Sequence, residues 1–236
     1  MIALMDDERL VRWRRGYAGA GLATLLALVA VTVAVGLDWM PLHEIDMAVA
    51  IHYAGVAAAT PGWTGWWSAV GFVISPVGTY LVALAACGWL WRLRADQGAQ
   101  AVIRQQALTD IRFVISSVAG GGLITYGAKS LTDRARPDGA AIEAFHSSFP
   151  SGHASAAVVV AFVAAFVLRQ RVRRVRSTVL IASALVLAVF TAYSRVALAV
   201  HYVTDVIAGL ALGFAWCALC AWWCYRNQKN VRTSVA

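Results

Sequence analysis

Six runs of apolar side chains, each about long enough to cross a bilayer, leave this chain few folds to choose from. Lipid offers no water to backbone N–H and C=O groups, so a crossing segment must satisfy them internally, and a helix needs about 20 mainly apolar residues to do it. The qualifying stretches are roughly 17–37, 70–91, 106–128, 153–168, 177–194 and 204–223. Composition agrees: the chain is 60% hydrophobic and 14% charged, with a mean hydropathy of +0.66. A soluble domain is nearer one quarter charged. The expectation is an all-α integral membrane bundle of six transmembrane helices, a single domain over residues 1–236. The first run lacks a small-residue cleavage site followed by a polar sequence, and reads as a retained signal-anchor.

Between the first two runs, residues 38–69 hold "LHEIDMAVAIHYAGVAAAT" and then "PGWTGWWSAV". This predicts an interfacial amphipathic helix and a tryptophan-rich segment at headgroup depth. Trp63, Trp66 and Trp67 read as an aromatic belt, with contact to a lipid substrate as the alternative. His43 and His52 fall in the interfacial segment and are not assigned to catalysis. Ser75-Pro76 predicts a kink in the second span. Glycines 120–122, Gly209 and Gly213 suit close helix packing. Cys87, Cys217, Cys220 and Cys224 lie in apolar runs and read as packing thiols rather than a metal or redox set.

Lys and Arg placement sets the expected orientation. Sixteen of the 20 basic residues fall on one side: Arg9, Arg12, Arg14 and Arg15; Arg92, Arg94, Arg104 and Arg112; the five arginines of "RQRVRRVR"; and Arg226, Lys229 and Arg232. That side, with both termini, is expected to be cytoplasmic. Lys129, Arg134, Arg136 and Arg195 remain on the outer side, where membrane insertion does not call for them. Anion binding does.

Three short segments converge at that outer side. "KSLTDRARP" carries Lys129, Arg134, Arg136 and Pro137 beyond the third span, and "FPSGHAS" opens the fourth with Pro150, Ser151, Gly152 and His153. "SRVALAVHYVTD" closes the fifth span with Ser194 and Arg195 and opens the sixth with His201 and Asp205. Ionisable residues at membrane depth are costly, which makes a functional role the default reading. Ser151 is a candidate cap of a helix start, where unpaired N–H groups and the positive dipole end favour an anion. Gly152 leaves the approach clear. His201 and Asp205, four apart, share a helix face, and the carboxylate would fix the imidazole tautomer. Fixed cations can neutralise a transferring phosphoryl group, and this side lacks the clustered carboxylates that hold Mg²⁺. A metal-free phosphoryl-transfer site without a cofactor is expected.

The pattern K-x₆-R-P (Lys129, Arg136, Pro137), P-S-G-H (Pro150 to His153) and S-R-x₅-H-x₃-D (Ser194, Arg195, His201, Asp205) resembles the three-part signature of the type 2 phosphatidic acid phosphatase superfamily. The motifs occupy residues 129–205; the N-terminal hundred residues match in architecture alone. The resemblance implies that His201 attacks phosphorus to give a phosphohistidine, oriented by Asp205. His153 would protonate the leaving oxygen and then activate water. Lys129, Arg136, Ser151, Gly152 and Arg195 would hold the phosphate. Arg134 lies outside the strict signature, which leaves open whether it contacts phosphate or headgroup; His146 reads as a bystander.

The implied substrate is a membrane lipid phosphate or diphosphate, met at the extracytoplasmic face of a bacterial cytoplasmic membrane, with no nucleic-acid partner. Polyprenyl diphosphate, phosphatidic acid, phosphatidylglycerol phosphate and lipid A phosphate all fit that geometry. Only 12 residues (138–149) separate Pro137 from Pro150, little for a large lid, which favours a polyprenyl diphosphate or simple phosphoglycerolipid over a bulky glycolipid. Two other classes remain: a lipid phosphotransferase using the same phosphohistidine, and a non-enzymatic lipid-binding or transport protein. The second has no need of His153, His201 and Asp205 together, and the span interiors are nearly free of charge.

Overall fold

The computed structural model describes residues 7–73, 75–96, 101–169 and 174–225, and these are helical apart from short connections and the loop 133–151. In chain order the helices are α1 (Asp7–Gly36), α2 (Met40–Ala59), α3 (Trp63–Val73), α4 (Pro76–Ala95), α5 (Ala101–Ile115), α6 (Gly121–Thr132), α7 (Gly152–Arg169), α8 (Arg174–Ala197) and α9 (Val203–Tyr225). A π-helical turn, Ser116–Gly120, joins α5 to α6 without a break. Of the basic residues expected on the inner side, Arg171, Arg173, Arg226, Lys229 and Arg232 lie outside the described residues, as do the side chains of Arg9, Arg12, Arg14, Arg15, Arg169, Arg174 and Arg176.

Five of the six predicted spans fall on a helix or a continuous helical run, and the second is shared between α3 and α4. Among the described residues five runs are both long and apolar enough to cross a bilayer: Ala18–Gly36, Trp63–Ala95, Ile103–Thr132, Thr178–Ala197 and Val203–Tyr225. The apolar stretch of α7, Gly152–Leu168, is shorter. At 1.5 Å per residue it reaches about 26 Å, close to the thickness of the hydrocarbon layer.

The Ser75-Pro76 signal divides the second span into α3 and α4. Proline cannot continue α3, and the Ser75 hydroxyl caps α4 by accepting from the Gly78 N–H at 3.0 Å. Close approach explains the glycines of α9. A Cβ on Gly209 would run into the Ser151 carbonyl, and one on Gly213 would stand 2.7 Å from the Ser155 carbonyl, so α7 and α9 meet backbone to backbone. Trp216 lies across Gly120 and Gly121, its indole N–H donating to the Ser116 carbonyl at 3.0 Å.

Among the described residues the buried apolar side chains gather in four clusters. One is built from Leu90, Phe113, Val159, Phe162, Phe166 and Tyr225, and all four cysteines pack within or against it as free thiols. Beside this cluster the carboxyl group of Asp110 is fully buried and accepts from the Tyr225 hydroxyl and the Gln106 amide. Another is made of small residues, Ala154, Ala192, Val196 and Val206, each in or close to a motif segment of the chain. Small side chains there let α7, α8 and α9 draw their ends together. The α6 C-terminus, the α7 N-terminus, the α8 C-terminus and the α9 N-terminus all open on this end.

Helix α2 occupies the connector predicted to be helical. It buries Asp46 and Ala50, and its Tyr53 hydroxyl meets Tyr193 of α8 at 2.6 Å. The tryptophans of α3 divide their work. Trp66 is exposed, whereas the Trp63 indole donates to the Ala197 carbonyl at 2.8 Å and Trp67 packs on Ala197, Leu198 and Val200. Trp63 and Trp67 therefore anchor the end of α8 that carries Arg195.

Candidate active site

The loop 133–151 is knit from within before it presents any charge. Ser148 N–H donates to the Arg134 carbonyl at 2.8 Å, Ser148 Oγ to the Ala135 carbonyl at 2.9 Å, and Thr132 Oγ1 to the Phe149 carbonyl at 2.8 Å. Ala141 N–H donates to the Leu198 carbonyl at 2.9 Å, tying the loop to the α8–α9 turn. The segment is a frame for cations rather than a free lid.

Arg136 is held by carbonyls on three sides. Its Nη1 donates to Val200 at 2.7 Å, Nη2 to Phe145 at 3.0 Å and Nε to His146 at 3.2 Å. His146 thus contributes its backbone, while its ring is exposed and lies edge-on to Tyr126. Lys129, on the last turn of α6, donates to the Ser147 carbonyl at 2.6 Å. Arg195 is only 5% exposed and has no carboxylate partner among the described residues; its Nε donates to Ser194 Oγ at 3.0 Å.

The geometry places one further residue in the site that the sequence did not mark. A Cβ on Gly71 of α3 would occupy the space of the Arg195 guanidinium, standing 2.6 Å from its Cζ. Gly71 is the floor on which that cation rests. Nothing in the local sequence signals it, because the contact joins residues 124 positions apart.

His201 and Asp205 interact as the spacing predicts, but not along one helix. His201 precedes α9, and Asp205 stands in the first turn and reaches back. Its Oδ2 accepts from the Tyr202 N–H at 2.9 Å and lies 3.4 Å from His201 Nδ1. The other ring nitrogen, Nε2, faces Arg136 Nη1 at 3.3 Å. A nitrogen facing a guanidinium carries its lone pair there, so the proton sits on Nδ1, toward the carboxylate. Burial pushes the His201 imidazole below its ordinary range, and Asp205 opposes that shift without cancelling it. His201 is therefore a neutral imidazole with a lone pair aimed at the cations.

The other motif histidine is at the same end. His153, in the first turn of α7, is within electrostatic reach of His201, Lys129, Arg136 and Arg195. Beside it Ser151 corrects the sequence reading. The residue precedes α7, but its hydroxyl caps nothing: buried, it has no hydrogen-bond partner among the described residues. The backbone does the anchoring, Ser151 N–H donating to the Asp205 carbonyl at 2.9 Å. Gly152 faces Thr125 and Lys129, leaving the backbone at the helix start uncovered by a side chain of its own.

Arg134 behaves differently from the other three cations. It bridges two buried carboxylates, donating from Nη1 to Asp205 Oδ1 at 2.6 Å and from Nη2 to Asp46 Oδ2 at 2.9 Å. The question the signature left open is answered by these partners: its donors are directed at protein carboxylates. A cavity of about 300 Å³ leads from Lys129 and Gly152 down between α4, α6 and α7 to Val118 and Val159, its wall mainly apolar.

Three basic side chains, His153 of α7, His201 of the α8–α9 turn and the buried Ser151 hydroxyl, gathered at one end of the bundle, fit a phosphate-handling membrane protein of the phosphatase class. The comparisons then give the family. The PAP2 superfamily model matches residues 111–229, half of the chain and all of the motif residues. The chain belongs to the PAP2 superfamily and is a membrane phosphatase of that type. The fold is similar to that of a solved structure, the first transmembrane PAP2 type phosphatidylglycerolphosphate phosphatase, from Bacillus subtilis. The TM-score is 0.70 at 20% identity, over 92% of this chain and 97% of that one. A comparison with curated proteins finds no match.

Proposed function

We propose that this protein hydrolyses the terminal phosphate of a membrane lipid phosphate or diphosphate through a phosphohistidine intermediate. The observation that carries the reading is the orientation of the buried His201: Nδ1 toward Asp205, Nε2 toward the half-buried Arg136. In this mechanism Nε2 attacks phosphorus and the P–O bond to the lipid breaks. Asp205 stabilises the cationic ring that results. His153 gives its proton to the departing lipid oxygen, then takes one from a water that attacks phosphorus, so that the P–N bond breaks, His201 Nε2 regains its lone pair and inorganic phosphate is released. Lys129, Arg136 and Arg195, with the Ser151 hydroxyl and the backbone at Gly152, bind the phosphoryl oxygens and spread their charge.

The apolar cavity running from Lys129 and Gly152 into the bundle supports a substrate with a hydrocarbon chain, the chain in the cavity and the phosphate at its mouth. The short, self-bonded loop 138–149 supports a small headgroup, and we favour a polyprenyl diphosphate, phosphatidic acid or phosphatidylglycerol phosphate. The asymmetry of Lys and Arg supports a site on the extracytoplasmic face of a bacterial cytoplasmic membrane, with cytoplasmic termini.

The test is phosphate release from phosphatidic acid and farnesyl diphosphate in detergent micelles, with chelator present. Wild type is expected to turn over at least one of them. His201→Ala is expected to lose at least about a thousandfold in kcat while keeping the wild-type melting temperature. Activity retained by a folded His201→Ala protein would end the assignment.

A further inference from the structure

Arg134 and Asp46 have no place in the phosphate-binding set, yet both are wired to the carboxylate behind the nucleophile. We propose that they are positioning residues of the reaction centre, an Asp46–Arg134–Asp205 chain with both carboxylates buried that aims Asp205 and sets how strongly it pulls on His201. This rests on the phosphohistidine reading above.

The wiring is specific. Arg134 Nη1 donates both to Asp205 Oδ1 at 2.6 Å and to Thr204 Oγ1 at 2.8 Å, while Nη2 donates to Asp46. Asp46, from α2, accepts in turn from the Thr204 N–H at 3.0 Å and from the Thr204 hydroxyl. The residue next to Asp205 is thus clamped from the opposite side of the chain. The Arg134 guanidinium also lies over the Tyr202 ring, 4.3 Å from its centroid, and Tyr202 supplies the N–H that holds Asp205 Oδ2. One oxygen of Asp205 is occupied by Arg134, which leaves the other to the imidazole.

The exposed edge of Arg134 faces away from the phosphate cup. It lines a separate cavity of about 500 Å³ with Asp38, His43, Asp46 and Tyr202, and none of Lys129, Arg136, His153, Arg195 or His201 reaches that cavity. Charge counting explains why such a chain would matter. Asp46, Arg134 and Asp205 sum to −1 while His201 is neutral, and to zero once the ring becomes cationic on bonding phosphorus. The set is balanced in the reacting state rather than the resting one. Asp46 and Asp205 hold the Arg134 guanidinium above its ordinary range even against burial.

A brace of this kind makes two opposite predictions. Removing the Arg134 charge leaves Asp205 to interact with His201 alone, which strengthens its pull on the imidazolium. Removing the Asp46 charge leaves Arg134 to Asp205 alone, which weakens that pull. The other groups bearing on His201 are Lys129 of α6, Arg136 of the loop and His153 of α7, with Arg195 of α8 bearing on His153, and neither change removes any of them. Asp38 and His43, paired at 2.9 Å, and Asp138 lie on the Arg134 and Tyr202 side.

The experiment measures kcat, KM, inhibition by inorganic phosphate and the acid limb of kcat/KM on phosphatidic acid and farnesyl diphosphate micelles. Arg134→Gln is expected to lower kcat about tenfold or more and move the acid limb up by on the order of half a pH unit. Asp46→Asn is expected to lower kcat and move the limb down. Phosphate inhibition is expected to stay within about threefold of wild type in both. Arg134→Lys, which keeps the charge and loses the fork, should fall between wild type and Arg134→Gln in kcat.

A tenfold weakening of phosphate inhibition in Arg134→Gln would make Arg134 a phosphate contact and overturn the proposal. So would wild-type kcat in the variants, limb shifts of the same sign, or failure of Arg134→Gln, Arg134→Lys and Asp46→Asn all to fold. An active, folded His201→Ala protein would instead remove the phosphohistidine reading beneath it.

Discussion

Gly71→Ala adds one methyl group, and the structure says where it goes: into the Arg195 guanidinium, with Cζ 2.6 Å and Ser194 Oγ 3.0 Å from the new carbon. The backbone of α3 is held by the Trp63 bond to Ala197 and by Trp67, so the end of the Arg195 side chain is the part that yields. It must withdraw by on the order of an ångström, a displacement that can cost about a hundredfold when it misplaces a binding group. Losing a charge-assisted hydrogen bond to phosphate corresponds to about 1.5–3 kcal/mol, or roughly 10- to 150-fold. The fold itself should not suffer, because alanine is favoured over glycine in a helix interior by about 0.5–1 kcal/mol. The expected outcome is therefore a protein with an unchanged or slightly raised melting temperature, kcat/KM down at least about tenfold, and weaker inhibition by phosphate. Since the methyl acts chiefly through Arg195, Gly71→Ala combined with Arg195→Ala should be little worse than Arg195→Ala alone. Wild-type kcat/KM in Gly71→Ala, or losses that add in the double variant, would refute the reasoning.

Two further outcomes follow from the geometry. A lowered imidazole affinity for protons means His201 gives up its proton at a lower pH than a free histidine does, so the nucleophile stays available as the solution is acidified. The acid limb of kcat/KM should fall below about 6.5, the ordinary imidazole value, and a limb at or above it would contradict a neutral buried His201. Gly209→Ala places a carbon against the Ser151 carbonyl, which is backbone and cannot swing aside. It should destabilise the protein by on the order of 1–3 kcal/mol and lower turnover by shifting the start of α7; an unchanged melting temperature in detergent would show that α7 and α9 are less closely packed than described.

The three motifs announced themselves because their chemistry conflicts with their setting. Lys129, Arg136 and Arg195 sit where insertion does not place cations, and His153, His201 and Asp205 stand at the edges of hydrocarbon runs. Residue types at fixed spacing were enough to bring His201 and Asp205 together, even though a turn rather than one helix does it. Other residues were silent. Asp46 is one carboxylate in a connector that reads as an interfacial amphipathic helix, and it meets Thr204 across 158 positions of chain. Gly71 is one glycine among 19. Arg134 lies two residues from Arg136 in the same segment, but one side chain turns to His201 and the other to two carboxylates. Asp110 qualifies the sequence view of spans nearly free of charge, and Ser151 looked like a cap although its hydroxyl caps nothing.

By itself the sequence determined that the chain is a helical membrane protein, where its helices lie, and which side chains could handle a phosphate. Those properties follow from hydropathy, punctuation by Ser and Pro, and residue chemistry, all of which act locally. Only the tertiary structure decided which charges pair with one another and which remain turned toward the cup. A buried cation is defined by the partner it reaches, and that partner is chosen when α2, α3, α7, α8 and α9 pack together at one end of the bundle.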